Sequence, residues 1–192
     1  MTARPRDSQR KRVYAAERAA FGTTATGAEP SRDLADQAAR AAAILQSAHV
    51  RAQYPWAPLT VKVLPKRGGG ATAWYTCIEM DSWTRQPGQW WVIYHEVTHI
   101  IVGNEPGPEP AAHGWRFCQV YVALVRALHS EAAATALQAA FKARRVRYRR
   151  PPRISPERRA ALRAQARAYG QRRRAEAAVD RWAAAGGDGS AV

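Results

Sequence analysis

The chain has little of what staples small secreted proteins or anchors membrane ones. Only two cysteines occur in 192 residues, Cys77 and Cys118, and they form no C-x-x-C pair, so no disulfide framework is indicated. The longest apolar runs fall far short of the ~20 residues that a membrane span needs. The start, Met1 to Arg12, is polar and basic with no apolar run behind it, and no signal peptide is read there. Neither G-x-x-x-x-G-K-[ST] nor G-x-G-x-x-G is present, so Gly68-Gly69-Gly70 reads as a hairpin turn rather than a phosphate loop. The expectation is a cytoplasmic protein with no membrane contact.

Acidic residues are scarce beside basic ones, 15 against 30, for a net charge of +15. The excess is local. Lys142 to Arg174 holds 14 basic residues and one acidic residue, Glu157, whereas the rest of the chain is close to neutral. Such a segment neutralises phosphates, with Tyr148 and Tyr169 available to stack on bases, so a nucleic acid is the expected partner of Lys142 to Arg174. Apolar residues make up 46% of the chain, enough for one domain with a core.

Periodicity predicts a short helix over residues 6 to 21, with Val13, Tyr14, Glu17 and Phe21 near one face and Asp7 or Ser8 as its cap. A second helix is expected from Asp33 to about Arg51, capped by Ser31, with Leu34, Ala38, Ala41, Leu45 and Ala48 inward. Leu59 to Leu64 alternates as a strand does, Ala73 to Met80 is rich in strand formers, and Asp81 to Gly88 has room for a short third strand. A helix from about Pro110 carries the stripe Phe117, Val120, Tyr121, Leu124 and Leu128. Two more helical stretches follow, Ser130 to Tyr148 and Ser155 to about Ala185, divided by Pro151-Pro152. The last is helical by propensity with few apolar residues.

The most informative stretch is Trp90 to Gly103, which contains His95-Glu96-Val97-Thr98-His99. On a helix, residues four apart share a face, so both imidazoles point the same way and make half of a tetrahedral zinc site. Glu96 is then placed to act on a water at the metal as general base without being a ligand. The apolar flanks suit a buried helix, and two His and a Glu inside one are costly unless they find partners. His113 comes 14 residues after His99, four before Phe117 and on the expected inner face of the next helix. It is the candidate third ligand. Glu105 and Glu109, in the intervening Pro-rich loop, are the competitors, since a His-His-Glu set also serves zinc.

His95-Glu96-x-x-His99 followed by His113-Gly114-Trp115-Arg116-Phe117 resembles the SprT-like (Spartan-type) zinc metallopeptidases, which carry H-E-x-x-H, a loop, and H-G-x-x-F on the next helix. The resemblance covers roughly residues 33 to 130. It implies His95, His99 and His113 as zinc ligands, Glu96 as catalytic base, and a protein or peptide substrate. Peptidases of this family that act on proteins joined to DNA need a nucleic-acid tether, a role open to the basic segment. Arg6 to Arg10 through Ala15-Ala16-Glu17 also looks like a group of small HExxH metallohydrolases from actinobacteria and their phages.

The expected architecture is α+β. It is a small zincin-like (minigluzincin or SprT-like) domain over residues 1 to 130, with a short β-sheet packed on the H-E-x-x-H helix and flanking helices. A basic helical extension over residues 131 to 192 follows. Two other function classes stay open: a nucleic-acid-binding protein whose zinc site is structural or vestigial, and a metallohydrolase of a non-peptide bond. No convincing fourth protein ligand is visible in the sequence. Cys118, five residues after His113, is expected to point off its face. Trp74 and Tyr75 are candidates for a substrate-side edge.

Overall fold

The computed structural model describes residues 7–22, 33–66, 71–80, 90–107, 111–149 and 155–184. Among them are seven helices and a three-stranded sheet, an α+β architecture. Two compact units are present, Met1–Arg150 and Pro151–Val192.

The centre of the first unit is helix α4 (Trp90–Gly103), which buries residues all round its circumference: Trp91, Ile93, Tyr94, Val97, Ile100, Ile101 and Val102. A helix apolar on every side needs cover on every side. α2 (Leu34–Gln46), α5 (Trp115–Leu128) and the sheet provide it. α5 buries Phe117, Val120, Tyr121 and Leu124 at the predicted spacing, with Leu128 partly buried. α1 (Arg10–Phe21) packs on α6 (Glu131–Ala143), which buries Ala134, Leu137 and Phe141. The division at residue 130 therefore needs correction: α6 belongs to the body of the fold because its apolar stripe is spent there. The compact unit ends near Arg150.

Several local expectations change. The helix predicted to run to Arg51 breaks at Ser47. Its Oγ donates to the Ile44 carbonyl at 2.7 Å and accepts from the Val50 amide at 3.2 Å. One hydroxyl thus ends α2 and begins α3 (Ala48–Gln53), and the new axis buries Val50 and leaves Ala48 exposed. The α2 cap is Asp33, whose carboxylate accepts from Ala35 N; Ser31 lies outside the described residues. At α1 neither Asp7 nor Ser8 caps, and Gln9 occupies that position.

The stretch from Ala73 to Met80 is not one strand. β2 (Ala71–Trp74) and β3 (Cys77–Met80) form a hairpin around Tyr75-Thr76, with Tyr75 at φ 29°. β1 (Lys62–Pro65) pairs in parallel with β3, giving the order β1-β3-β2. Gly68-Gly69-Gly70 lies outside the described residues, and the strands on either side of it, β1 and β2, are not partners. The third strand expected in Asp81 to Gly88 also falls outside the described residues. β3 turns Ile78 and Met80 into the core, and among the described strands β2 is left at the edge, beside α4.

In the second unit, α7 (Pro156–Ala184) starts with Arg158 N bonded to Ser155 Oγ at 3.2 Å. Its described side chains are nearly all exposed, Tyr169 at 66%, as its composition leads one to expect. No helix among the described residues is long and apolar enough to cross a membrane.

Candidate metal centre

α4 carries His95, Glu96 and His99, and the fold brings His113 to them. His113 is not on the next helix, as the spacing suggested. It sits in the turn just before α5, whose N-cap is Gly114. Phe117, one turn into α5, packs its ring against all three imidazoles at centroid distances of 4.9, 4.4 and 5.0 Å. Gly114 lets the turn close tightly: a Cβ there would stand 2.9 Å from the Ala111 carbonyl oxygen.

The Nε2 atom of His95 lies 3.1 Å from that of His99 and 3.2 Å from that of His113. One donor atom from each residue falls within 4.8 Å of the others. In a tetrahedral zinc site with bonds of about 2.0–2.1 Å, ligand nitrogens stand about 3.3 Å apart. The opposite ring atoms are spoken for. His95 Nδ1 meets the carboxylate of Glu17, and His113 Nδ1 meets Asp7 Oδ2 at 2.7 Å. A carboxylate accepting from Nδ1–H leaves the Nε2 lone pair free and aimed inward. Lone pairs facing one another at this separation need a proton or a cation between them, so the donor set fits a metal ion. Glu17 and Asp7, read in sequence as a helix-face residue and a candidate cap, are the functional residues that the pattern alone missed.

The electrostatics point the same way. Burial opposes charge on His95, but the Glu17 carboxylate against Nδ1, with Glu96 nearby, lifts its pKa above the ordinary histidine value. Burial, and then the field of His95, holds His99 well below that value and His113 below it. The surroundings thus favour one positive charge where the three Nε2 atoms meet. Burial pushes the Glu96 carboxyl up to about 7, against the pull of His95. Glu96 is 4% exposed, and its Oε2 has no hydrogen-bond partner among the described residues.

The centre opens into a cleft of about 430 Å³. Glu96, His99 and His113 are on its floor, β2 from Ala71 to Trp74 on one wall, and Arg10 and Tyr14 of α1 on another. Asn104, just past α4, donates to the Tyr75 carbonyl at 2.8 Å and so ties the β2–β3 turn to the ligand helix. Trp74 and Tyr75 are exposed there, at 47% and 63%. Tyr14 stacks on His95 at 5.3 Å and meets His113 edge-on at 5.2 Å.

One competing ligand, Glu105, is placed elsewhere. Glu105 makes a two-pronged pair with Arg116, both contacts at 2.7 Å, which removes each from the centre. Glu109 lies outside the described residues. Cys118 is buried with its sulfur 3.8 Å from the His113 carbonyl oxygen, on the backbone side of the ligand rather than the metal side. Tyr94 packs on Trp90 and His129. Among the described residues no fourth metal-binding side chain joins the three histidines. No family model, curated protein or solved structure matches the chain.

Proposed function

We propose that the protein is a metallohydrolase of the zincin type, SprT-like in its ligand pattern, and that its reaction is peptide hydrolysis. The observation that carries this reading is the contrast between the two sides of the centre. On one side, carboxylates lock the outward nitrogens of His95 and His113. On the other, the three Nε2 atoms converge, and Glu96, whose Oε2 has no hydrogen-bond partner among the described residues, lines an open cleft with His99 and His113.

A structural zinc site is normally closed by a fourth protein ligand and has no use for a buried base beside it. Three imidazoles suit zinc, which supplies a Lewis acid for a carbonyl and acidifies water when bound. The chain's own contribution is positional. Glu96, raised toward neutrality by burial, takes a proton from the attacking water and hands it to the leaving amine. The β2 edge offers backbone groups to an extended peptide, with Trp74 and Tyr75 at its end.

Nucleic acid is the proposed second partner, through Lys142 to Arg174. Lys142, Arg144, Arg145, Arg147 and Arg149 are all exposed, and the Arg149 guanidinium lies 5.6 Å over the half-buried Tyr148 ring. Cations interleaved with an aromatic face suit a phosphate backbone and a stacked base.

The test is metal content and casein cleavage measured side by side on wild type and Glu96→Gln. Stoichiometric zinc in both, with cleavage by the wild type alone, is the expected result. Zinc in both with no cleavage by either removes the peptidase reading, and a protein that binds no metal removes the whole proposal.

A further inference from the structure

One line of side chains on and just before α1 faces the centre: Asp7, Arg10, Tyr14 and Glu17. Three have roles already described, as two carboxylates on ligand histidines and a ring laid against His95 and His113. Arg10 has none. Its guanidinium stands 5.6 Å from the centroid of the Tyr14 ring and lines the cleft beside Glu96, His99 and His113. Among the described residues no carboxylate forms an ion pair with it.

Several other arginines of the same unit are engaged. Arg116 holds Glu105, Arg40 holds Asp36, Arg126 holds Glu131, and Arg12 donates to the Ser8 and Arg145 carbonyls. The carboxylates nearest Arg10 do not answer it, because Asp7 and Glu17 are turned to the histidines and Glu96 is sunk in the floor. On the β2 side, Ala71 to Trp74 carry no charge of their own, but the Lys66 ammonium is bonded to Thr72 Oγ1 and its field reaches Glu96. An anionic ligand entering the cleft therefore meets negative groups below and the Arg10 guanidinium at the side.

A guanidinium resting on an aromatic face is partly pre-ordered, and its fork matches a carboxylate with two parallel hydrogen bonds. We propose that Arg10, supported by Tyr14, is a carboxylate-binding subsite of this cleft and that the preferred substrate is a peptide carrying a carboxylate close to the scissile bond. The inference rests on the hydrolase reading only in taking the cleft as the substrate site. The carboxylate has two sources, the C-terminus of a chain or an Asp or Glu side chain.

The experiment uses zinc-loaded Glu96→Gln protein, so that peptides survive. Three fluorescein-labelled hexapeptides of one neutral sequence are compared by anisotropy: amidated, with a free C-terminus, and amidated with one Glu. Binding about tenfold tighter for a carboxylate-bearing peptide than for the neutral amide is expected. The free acid or the Glu peptide, whichever shows the gain, identifies the source. Adding Arg10→Gln abolishes the preference, and Arg10→Lys retains part of it, since charge remains and the fork is lost. Zinc content and circular dichroism of both double variants check that the centre and the fold are intact.

Equal binding of all three peptides, a preference that survives Arg10→Gln, or no binding of any of them overturns the subsite. The two proposals fail separately. An Arg10-dependent preference in a wild-type protein that cleaves nothing supports the subsite and removes the peptidase. Equal cleavage of neutral and acidic peptides overturns the subsite and leaves the peptidase standing.

Discussion

Replacing Glu17 by Gln should weaken metal binding without removing any ligand, and more than the matching change at Asp7. Both carboxylates accept from the Nδ1 of a ligand histidine, and loss of such an outer partner costs roughly 10–100-fold in metal affinity. That is about 1.4–2.8 kcal/mol. Their surroundings separate the two. The Glu17 and His95 side chains are 1% and 3% exposed, while Asp7 is 24% exposed. Solvent has almost no access to Glu17 to replace a lost charge, so Glu17→Gln belongs near the upper end, whereas solvent already screens Asp7 and Asp7→Asn belongs near the lower. The amide oxygen introduced at position 17 still accepts from Nδ1–H, so what is lost is mainly the negative charge that favours a cation at the centre. The assay is competition for zinc against a chromogenic chelator at fixed pH and ionic strength, with circular dichroism to check the fold. Unchanged affinity in Glu17→Gln, or a greater loss in Asp7→Asn, would refute the assignment of these carboxylates to the metal centre.

Phe117→Ala removes a fully buried ring that touches all three histidines, and should cost about 4 kcal/mol in denaturant unfolding; a loss under about 1 kcal/mol contradicts this packing. Gly114→Ala forces a Cβ against the Ala111 carbonyl and should displace His113, weakening zinc in the chelator assay while His95 and His99 stay in place; unaltered affinity means that the turn yields. A chelator should lower the unfolding midpoint, because zinc at a hundred times its Kd stabilises by about 2.7 kcal/mol; an unmoved midpoint argues against a bound metal. Changing Arg144, Arg147 and Arg149 to Gln should flatten the salt dependence of duplex DNA binding by about 0.9 for each phosphate that is no longer neutralised. A slope unchanged from wild type removes this segment from the interface.

The half of the centre carried by one helix was legible because a period of 3.6 residues puts His95 and His99 on one face whatever surrounds them. His113 was a candidate by its spacing from His99 and Phe117, and the likeness of motif singled it out over Glu105 and Glu109. Its position just off the helix was not legible, since Gly114 is an N-cap that no periodicity reveals. Glu17 and Asp7 lie 78 and 106 residues from the histidines they orient, a separation that only the closed fold bridges. Glu17 did carry one signal: a carboxylate between Val13 and Phe21 on a buried face needs a partner, though the sequence does not say which. The β2–β3 turn escaped notice because Tyr75-Thr76 lacks the Gly or Asn that such turns favour. The glycine run suggested a hairpin between strands that meet only across β3, in a parallel pairing with no local signature.

The misread parts share a cause, and it bears on how the centre works. α1 looked like a short amphipathic lead-in, yet with the residues just before it this helix provides both outer carboxylates, the Tyr14 ring over two ligands, and Arg10 in the cleft wall. Gln9 adds a further tie. Its amide donates to the His113 carbonyl at 2.6 Å and to the Arg147 carbonyl at 3.1 Å, and its oxygen accepts from the Arg147 amide at 2.9 Å. The third ligand, the start of α1 and the beginning of the basic segment therefore meet at one buried side chain. Helix α4 carries two of the three histidines and Glu96, but the geometry of the cluster is set by a helix packed on α6 and by a loop clasped from both chain directions. A centre built this way forms with the tertiary structure and not before it.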